Sequence, residues 1–132
     1  MSGPSVKRVL IADADEGTRA TVRLTLSGDS YEVVEAADTG EALLVIARDR
    51  PEVLILDANL PTAGGLKICR SVKAQEETRH ARVVLLTDKA DPVDGEVAEE
   101  AGVDEFLAKP FTAMSLLKKI TELLDGGDAG GS

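Results

Sequence analysis

Acids, a hydroxyl and an ammonium stand at the ends of short β-branched runs in this sequence. Asp13, Asp15 and Glu16 follow one run, Asp57 ends a second and Thr87 ends a third. Lys109 comes just after a fourth and is followed by Pro110. Carboxylates gathered at one place need a hard cation to neutralise them, and oxygen ligands suit Mg²⁺ (or Mn²⁺). Such an ion keeps several waters and readily binds phosphate oxygens. The ammonium and the hydroxyl offer a positive charge and a hydrogen bond to an incoming anion. A carboxylate that attacks a phosphoryl group becomes an aspartyl phosphate. Catalysis of that step is mostly positioning and charge stabilisation.

Elements of two kinds must bring these groups together. Val6–Ala12, Val53–Asp57 and Val83–Thr87 are short and nearly all apolar, as strands buried on both faces of a parallel sheet are. Tyr31–Glu35 and Asp104–Ala108 are shorter and more mixed, which suits edge or late strands. Amphipathic stretches of helical length alternate with them: Glu16–Ser27, Thr39–Asp49, Gly65–Ala74, Pro92–Ala101 and Thr112–Leu124. The expected inward faces are Val22 and Leu26; Ala42, Leu43, Ile46 and Ala47; Leu66, Cys69 and Val72; and Met114, Leu117, Ile120 and Leu124. The fourth helix carries Val93, Val97 and Ala101 at helical spacing, but Gly95 and three glutamates dilute it, so it should be the least stable. Gly28, Pro51 and Gly102 mark helix ends. The order is βα five times over, an α/β chain with a parallel sheet and helices on both faces. Ligands of such sheets bind outside the carboxyl ends of the strands, where the chemically capable residues lie.

Composition narrows the function. At 132 residues the chain has one domain's length, and 43% apolar content is enough for a core, which must be aliphatic because aromatics are 2%. A formal net charge of -9 disfavours binding to nucleic acid or to anionic membranes. One cysteine, Cys69, and one histidine, His80, exclude a disulfide framework, a cysteine-built zinc site and a multi-histidine metal centre. Cys69 lies on the third helix's apolar stripe and reads as a buried thiol, whereas His80 sits in a polar loop and reads as a solvated residue. No apolar run approaches the roughly 18 residues that span a bilayer, and Met1–Arg8 has no signal-peptide core. A cytoplasmic location is the expectation. The Gly-rich stretch 126–132 reads as a flexible tail after a folded unit over 1–125.

These residues resemble the receiver domains of bacterial two-component response regulators, over about residues 6–125. Asp57-Ala58-Asn59-Leu60-Pro61 followed by Gly65 looks like the family's phosphoacceptor loop, and Lys109-Pro110-Phe111 like its Lys-Pro-Phe signature. Thr87 stands at the place of the switch hydroxyl and Phe106 at that of the switch aromatic. The resemblance implies a flavodoxin-like, doubly wound (βα)5 three-layer sandwich with strand order 2-1-3-4-5. It implies that Asp57 accepts a phosphoryl group from a histidine kinase or phosphotransfer protein. Asp13, Asp57 and the Asn59 backbone carbonyl would help hold Mg²⁺, and Lys109 would pair with Asp57 or its phosphate. Thr87 would move to the phosphoryl oxygen and Phe106 would turn inward. That would remodel the face of the fourth helix, fifth strand and fifth helix, which a downstream target or output domain reads. A homodimer through that face is compatible with the resemblance, though no charge pattern compels it.

Two positions depart from the family pattern. The family places two adjacent acids after the first strand, and here the second is Ala14. Asp15 either fills in for that ligand or caps the first helix. The residue after the switch threonine is usually small, and here it is Asp88, which either hinders a phosphodonor at the mouth of the site or points to solvent. The alternative reading is therefore a degenerate receiver that acts as a phosphorylation-independent interaction module. An aspartate-nucleophile phosphatase fits less well, because its second acid would fall at Asn59, and no cap domain is expected within these residues. Flavin binding fits worse, since stacking aromatics are nearly absent.

Overall fold

The computed structural model describes residues 6–126. Strands and helices alternate along the chain: β1 (Lys7–Ala12), α1 (Glu16–Thr25), β2 (Tyr31–Ala36), α2 (Thr39–Asp49), β3 (Val53–Asp57), α3 (Gly65–Ala74), β4 (Arg82–Asp88), α4 (Gly95–Ala101), β5 (Glu105–Lys109) and α5 (Ala113–Thr121). A π-helical turn, Glu122–Gly126, continues α5. The expected tail begins at Gly126, and its residues 127–132 lie outside the described ones. The strands form one parallel sheet in the order β2-β1-β3-β4-β5, as the resemblance implied.

The sheet's two faces build two cores. Leu10, Leu54, Leu56, Val83 and Leu85 point to one side and meet α2 and α3 through residues such as Ile46, Ile68 and Val72. Val9, Ile11, Ile55, Val84 and Leu86 point to the other and meet α1 and α5 through Val22, Leu26, Leu116 and Ile120. This alternation is the period-2 geometry of a strand, with both faces covered. Val9–Ala12, Val53–Leu56 and Val83–Leu86 are fully buried, whereas the edge strands β2 and β5 are mixed, matching the difference in their sequences.

Short polar side chains start four of the helices. Asp15, Asp38, Asp94 and Thr112 each accept a backbone N–H of the first turn of α1, α2, α4 and α5. The cap at Asp94 starts α4 at Gly95 rather than Pro92, and leaves it 7 residues long.

The inward faces of three helices differ from the expected ones. On α2, Ala42, Val45 and Ile46 are buried, while Leu43 and Ala47 face out. On α4, Ala98 and Ala101 face in and Val97 is half-exposed. On α5, Leu116, Ile120 and Leu123 are buried, while Met114 and Leu117 are exposed. In each case the helix carries apolar residues on two adjacent faces, and only one of them can lie on the sheet.

Candidate functional site

The strand ends bring Asp13, Asp57, Thr87 and Lys109 to one rim. Asp13 follows β1, Asp57 ends β3, Thr87 is the last residue but one of β4, and Lys109 ends β5. Asp57 is level with Leu86 on β4, and Thr87 and Asp88 are level with Ala108 and Lys109 on β5. The Lys109–Pro110 peptide is cis.

Three charged groups meet in the centre. Lys109 Nζ lies 2.6 Å from Asp13 Oδ2 and 3.5 Å from Asp57 Oδ2. Both acids are buried, Asp13 to 1% exposure and Asp57 to 8%. Their other oxygens are fixed by backbone donors: the Asp15 N–H donates to Asp13 Oδ1 at 2.8 Å, and the Asn59 N–H donates to Asp57 Oδ1 at 3.1 Å. Burial pulls the Lys109 ammonium down, but its attraction to Asp13 and Asp57 outweighs that, so its pKa lies above the ordinary lysine value. The lysine is thus charged and shared between two carboxylates.

A built loop holds Asp57 forward. The Leu60 N–H donates to the Asp57 carbonyl at 3.1 Å, and the Gly64 N–H to the Leu60 carbonyl at 3.0 Å. Gly64 has φ +81, a region open to glycine, and Cβ at that position would lie 2.9 Å from the Ala58 carbonyl. Thr62 shares that left-handed region at φ 86 although it is β-branched. The Thr39 hydroxyl clasps the peptides on either side of it, donating to the Pro61 carbonyl at 2.6 Å and accepting the Ala63 N–H at 3.1 Å.

The neighbouring residues sort by what they touch. Asp15 caps α1, accepting both the N–H and the hydroxyl of Thr18 at 2.9 Å. The Thr18 hydroxyl, then its N–H, hold the Asp15 carboxyl below its ordinary range. Ala14 is exposed and brings no donor atom to the site. Asp88 is exposed, and its Oδ1 accepts the Ala90 N–H at 2.8 Å. It lines an open cavity of about 610 Å³ with Asp15, Thr18, Lys109, Pro110 and Phe111. Thr87 is half-buried and Phe106 is 39% exposed. Cys69 is buried and donates to the Ala101 carbonyl at 3.2 Å, and burial pushes its thiol up to about 11. His80 is exposed.

The donor set fits a hard cation. Asp13 Oδ2 is buried, and its contact with Lys109 is an ion pair without the alignment of a hydrogen bond. Asp57 Oδ2 lies on the same ammonium. Among the described residues no group of three or more His, Cys, Asp or Glu is poised around one point, and Asp13 and Asp57 are the two carboxylates on the Lys109 ammonium. Mg²⁺ tolerates such a short protein set because it retains waters.

Sequence reasoning did not single out Arg19, Glu35 or the hydroxyl of Thr39. Arg19 donates to the Asp13 carbonyl at 2.7 Å and to Glu35 Oε1 at 3.1 Å. Thr39 is a buried polar residue in the first turn of α2. The available signal was an arginine one turn into α1, directly after the acidic loop.

The family model for the response regulator receiver domain matches residues 9–121. The chain belongs to the response regulator receiver family. Response regulator MprA of Mycobacterium leprae (strain TN) is 39% identical over 118 residues, 89% of this chain and 50% of that protein. The receiver chain thus spans half the length of that relative. The high-resolution structure of chemotaxis response regulator CheY4 of Vibrio cholerae superposes with a TM-score of 0.83 at 30% identity, covering 90% of this chain and 99% of that one. The receiver domain of a sensor histidine kinase from Pseudomonas aeruginosa PAO1, solved with a magnesium ion in its active site cleft, has a TM-score of 0.75 at 27% identity, covering 89% of this chain and 96% of that one. The chain is therefore a receiver domain of two-component signalling with the flavodoxin-like fold. Among the described residues no helix is long and apolar enough to cross a membrane.

Proposed function

We propose that this receiver is a phosphoryl-accepting switch whose acceptor is Asp57. The observation that carries the reading is the Lys109 ammonium held between the buried Asp13 and Asp57 at the rim of the sheet. The phosphodonor is a phosphohistidine on a histidine kinase or phosphotransfer protein. An Asp57 carboxylate oxygen attacks the phosphorus; the new O–P bond forms as the P–N bond breaks. The electron pair of the broken bond leaves on the imidazole nitrogen, which takes a proton from water. Lys109 neutralises charge on the transferred oxygens. Asp13, Asp57 and the Asn59 backbone carbonyl would hold Mg²⁺ (or Mn²⁺), which supplies further neutralisation of the phosphoryl oxygens. The magnesium in the Pseudomonas receiver supports this assignment. Attack of water on the phosphorus would release phosphate and regenerate Asp57, so the domain is no enzyme beyond Mg²⁺-dependent self-phosphorylation and self-dephosphorylation.

Thr87 then contacts the phosphoryl group, and Phe106, exposed on β5, turns inward. The α4–β5–α5 face changes and a target protein, an output domain or a second copy of the chain reads it. The receiver unit is residues 1–125, acting in the cytoplasm without contacting nucleic acid or membrane itself.

A second reading draws on Ala14. With no carboxylate there, the receiver could act as a phosphorylation-independent interaction module. Intact mass after incubation with acetyl phosphate and Mg²⁺ separates the two. The expected result is one added phosphoryl group in the wild type and none in Asp57→Asn. Addition only in Ala14→Asp would make the wild type a degenerate receiver, and addition in none would leave the interaction module.

A further inference from the structure

Asp13 lies one residue past the end of β1, where the ladder hydrogen bonds stop, yet it is 1% exposed. Its backbone groups must find partners there. The N–H donates to the carbonyl of Ala36, the last residue of β2, at 3.0 Å. The carbonyl receives Arg19 Nη1 from α1 at 2.7 Å. Arg19 in turn is fixed by Glu35, the residue before Ala36, through Nε at 3.1 Å. Both backbone groups of Asp13 are therefore anchored on the last two residues of β2, one directly and one through Arg19. The Arg19 side chain is 16% exposed and Glu35 31%, whereas Arg23, the other partner of Glu35, is 49% exposed. The Arg19 bridge is the shielded branch of that network.

We propose that Arg19 is a positioning residue for phosphoryl transfer, setting the Asp13 carboxylate by gripping the Asp13 carbonyl while anchored on Glu35. This rests on the function proposed above. Ala14 makes the grip more consequential, because Asp13 is the acid of this loop that forms an ion pair with Lys109. The guanidinium suits the task, since its planar fork serves two acceptors at fixed directions, as a lysine's ammonium does less well. Removing groups that orient a metal-binding carboxylate weakens the site by about 10–100-fold.

The test compares the full chain with Arg19→Ala, Arg19→Lys and Glu35→Gln. Two readouts are taken against Mg²⁺ concentration: the thermal midpoint, which reports binding to the native state, and the rate of phosphorylation by acetyl phosphate. The expected result is a Mg²⁺ midpoint raised about tenfold or more in Arg19→Ala, less in Glu35→Gln, and partly restored in Arg19→Lys. Rates recover at saturating Mg²⁺. If Arg19→Ala falls below folding, the Lys and Gln variants carry the comparison. Folded variants with the wild-type Mg²⁺ midpoint would overturn the proposal and reduce Arg19 to a structural tie. A wild type that neither responds to Mg²⁺ nor takes up phosphate would instead remove the functional reading, and this one with it.

Discussion

Gly65 shows how closely the backbone approaches Asp57. A Cβ there would lie 2.6 Å from the Asp57 carbonyl oxygen and 2.9 Å from Leu85 Cδ1. The first of these is backbone and cannot swing away. Gly65→Ala should therefore push the carbonyl of Asp57 and the start of α3 apart. Overpacking of this kind costs about 1–3 kcal/mol, readable as a lower urea midpoint with an unchanged slope. Phosphorylation should slow beyond what the lost stability explains, because the displaced residue is the proposed acceptor. An Ala variant with wild-type stability and rate would show that the loop absorbs a methyl group freely. At this scale the sequence was informative where a polar residue interrupts an apolar strand. Asp57 and Thr87 stand out against VLIL and VVLL, and Lys109 against its proline. Arg19 and Glu35 do not stand out, since charged residues on a helix or an edge strand are ordinary until tertiary contact gives them a partner.

The loop between β3 and α3 is held by an element that shares no sequence with it. Thr39 of α2 bonds the peptides before and after Thr62, whose φ of 86 is costly for a β-branched residue. Thr39→Val would leave the Pro61 carbonyl and the Ala63 N–H without that partner, a loss of about 1–3 kcal/mol. Thr62→Gly removes the strain that the clasp restrains, so Thr39→Val should cost less in a Thr62→Gly background. A double-mutant cycle by denaturant unfolding measures that coupling, and strict additivity would disprove it. Elements themselves were legible because strand and helix periods differ. The five strands and five helices fall where alternation put them, and Asp15 proved to be the cap. The inward faces of α2, α4 and α5 were not. Met114 and Leu117 share a stripe as regular as that of Leu116, Ile120 and Leu123, and only the position of the sheet decides which is buried. Strand order came from resemblance, since alternation leaves several orders open.

Acid should act on the whole molecule through two opposed effects. Protonation reduces the net charge of -9 and relieves self-repulsion, which favours the folded state. Protonation also removes carboxylates that the fold stabilises as anions, which disfavours it. Glu35 is such a group. A hydrogen bond from Arg23 holds its carboxyl below the ordinary value of 4.5, burial opposes this, and Arg19 adds to it. The native state therefore binds fewer protons than the unfolded chain between the two pKa values. The contribution is complete above 4.5 and is lost as pH falls through the lower, native value. Glu35→Gln isolates it, because self-repulsion is nearly the same in both proteins and cancels in their difference. The wild type should exceed the variant in unfolding free energy by a constant amount at neutral pH, and the gap should narrow steadily below 4.5. A gap that stays flat into acid would mean that Arg19 and Arg23 do not stabilise Glu35 as an anion. The carboxylate tested is also the one that anchors Arg19 against the Asp13 carbonyl. Glu35 thus ties part of the acid stability to the network that holds the Asp13 backbone.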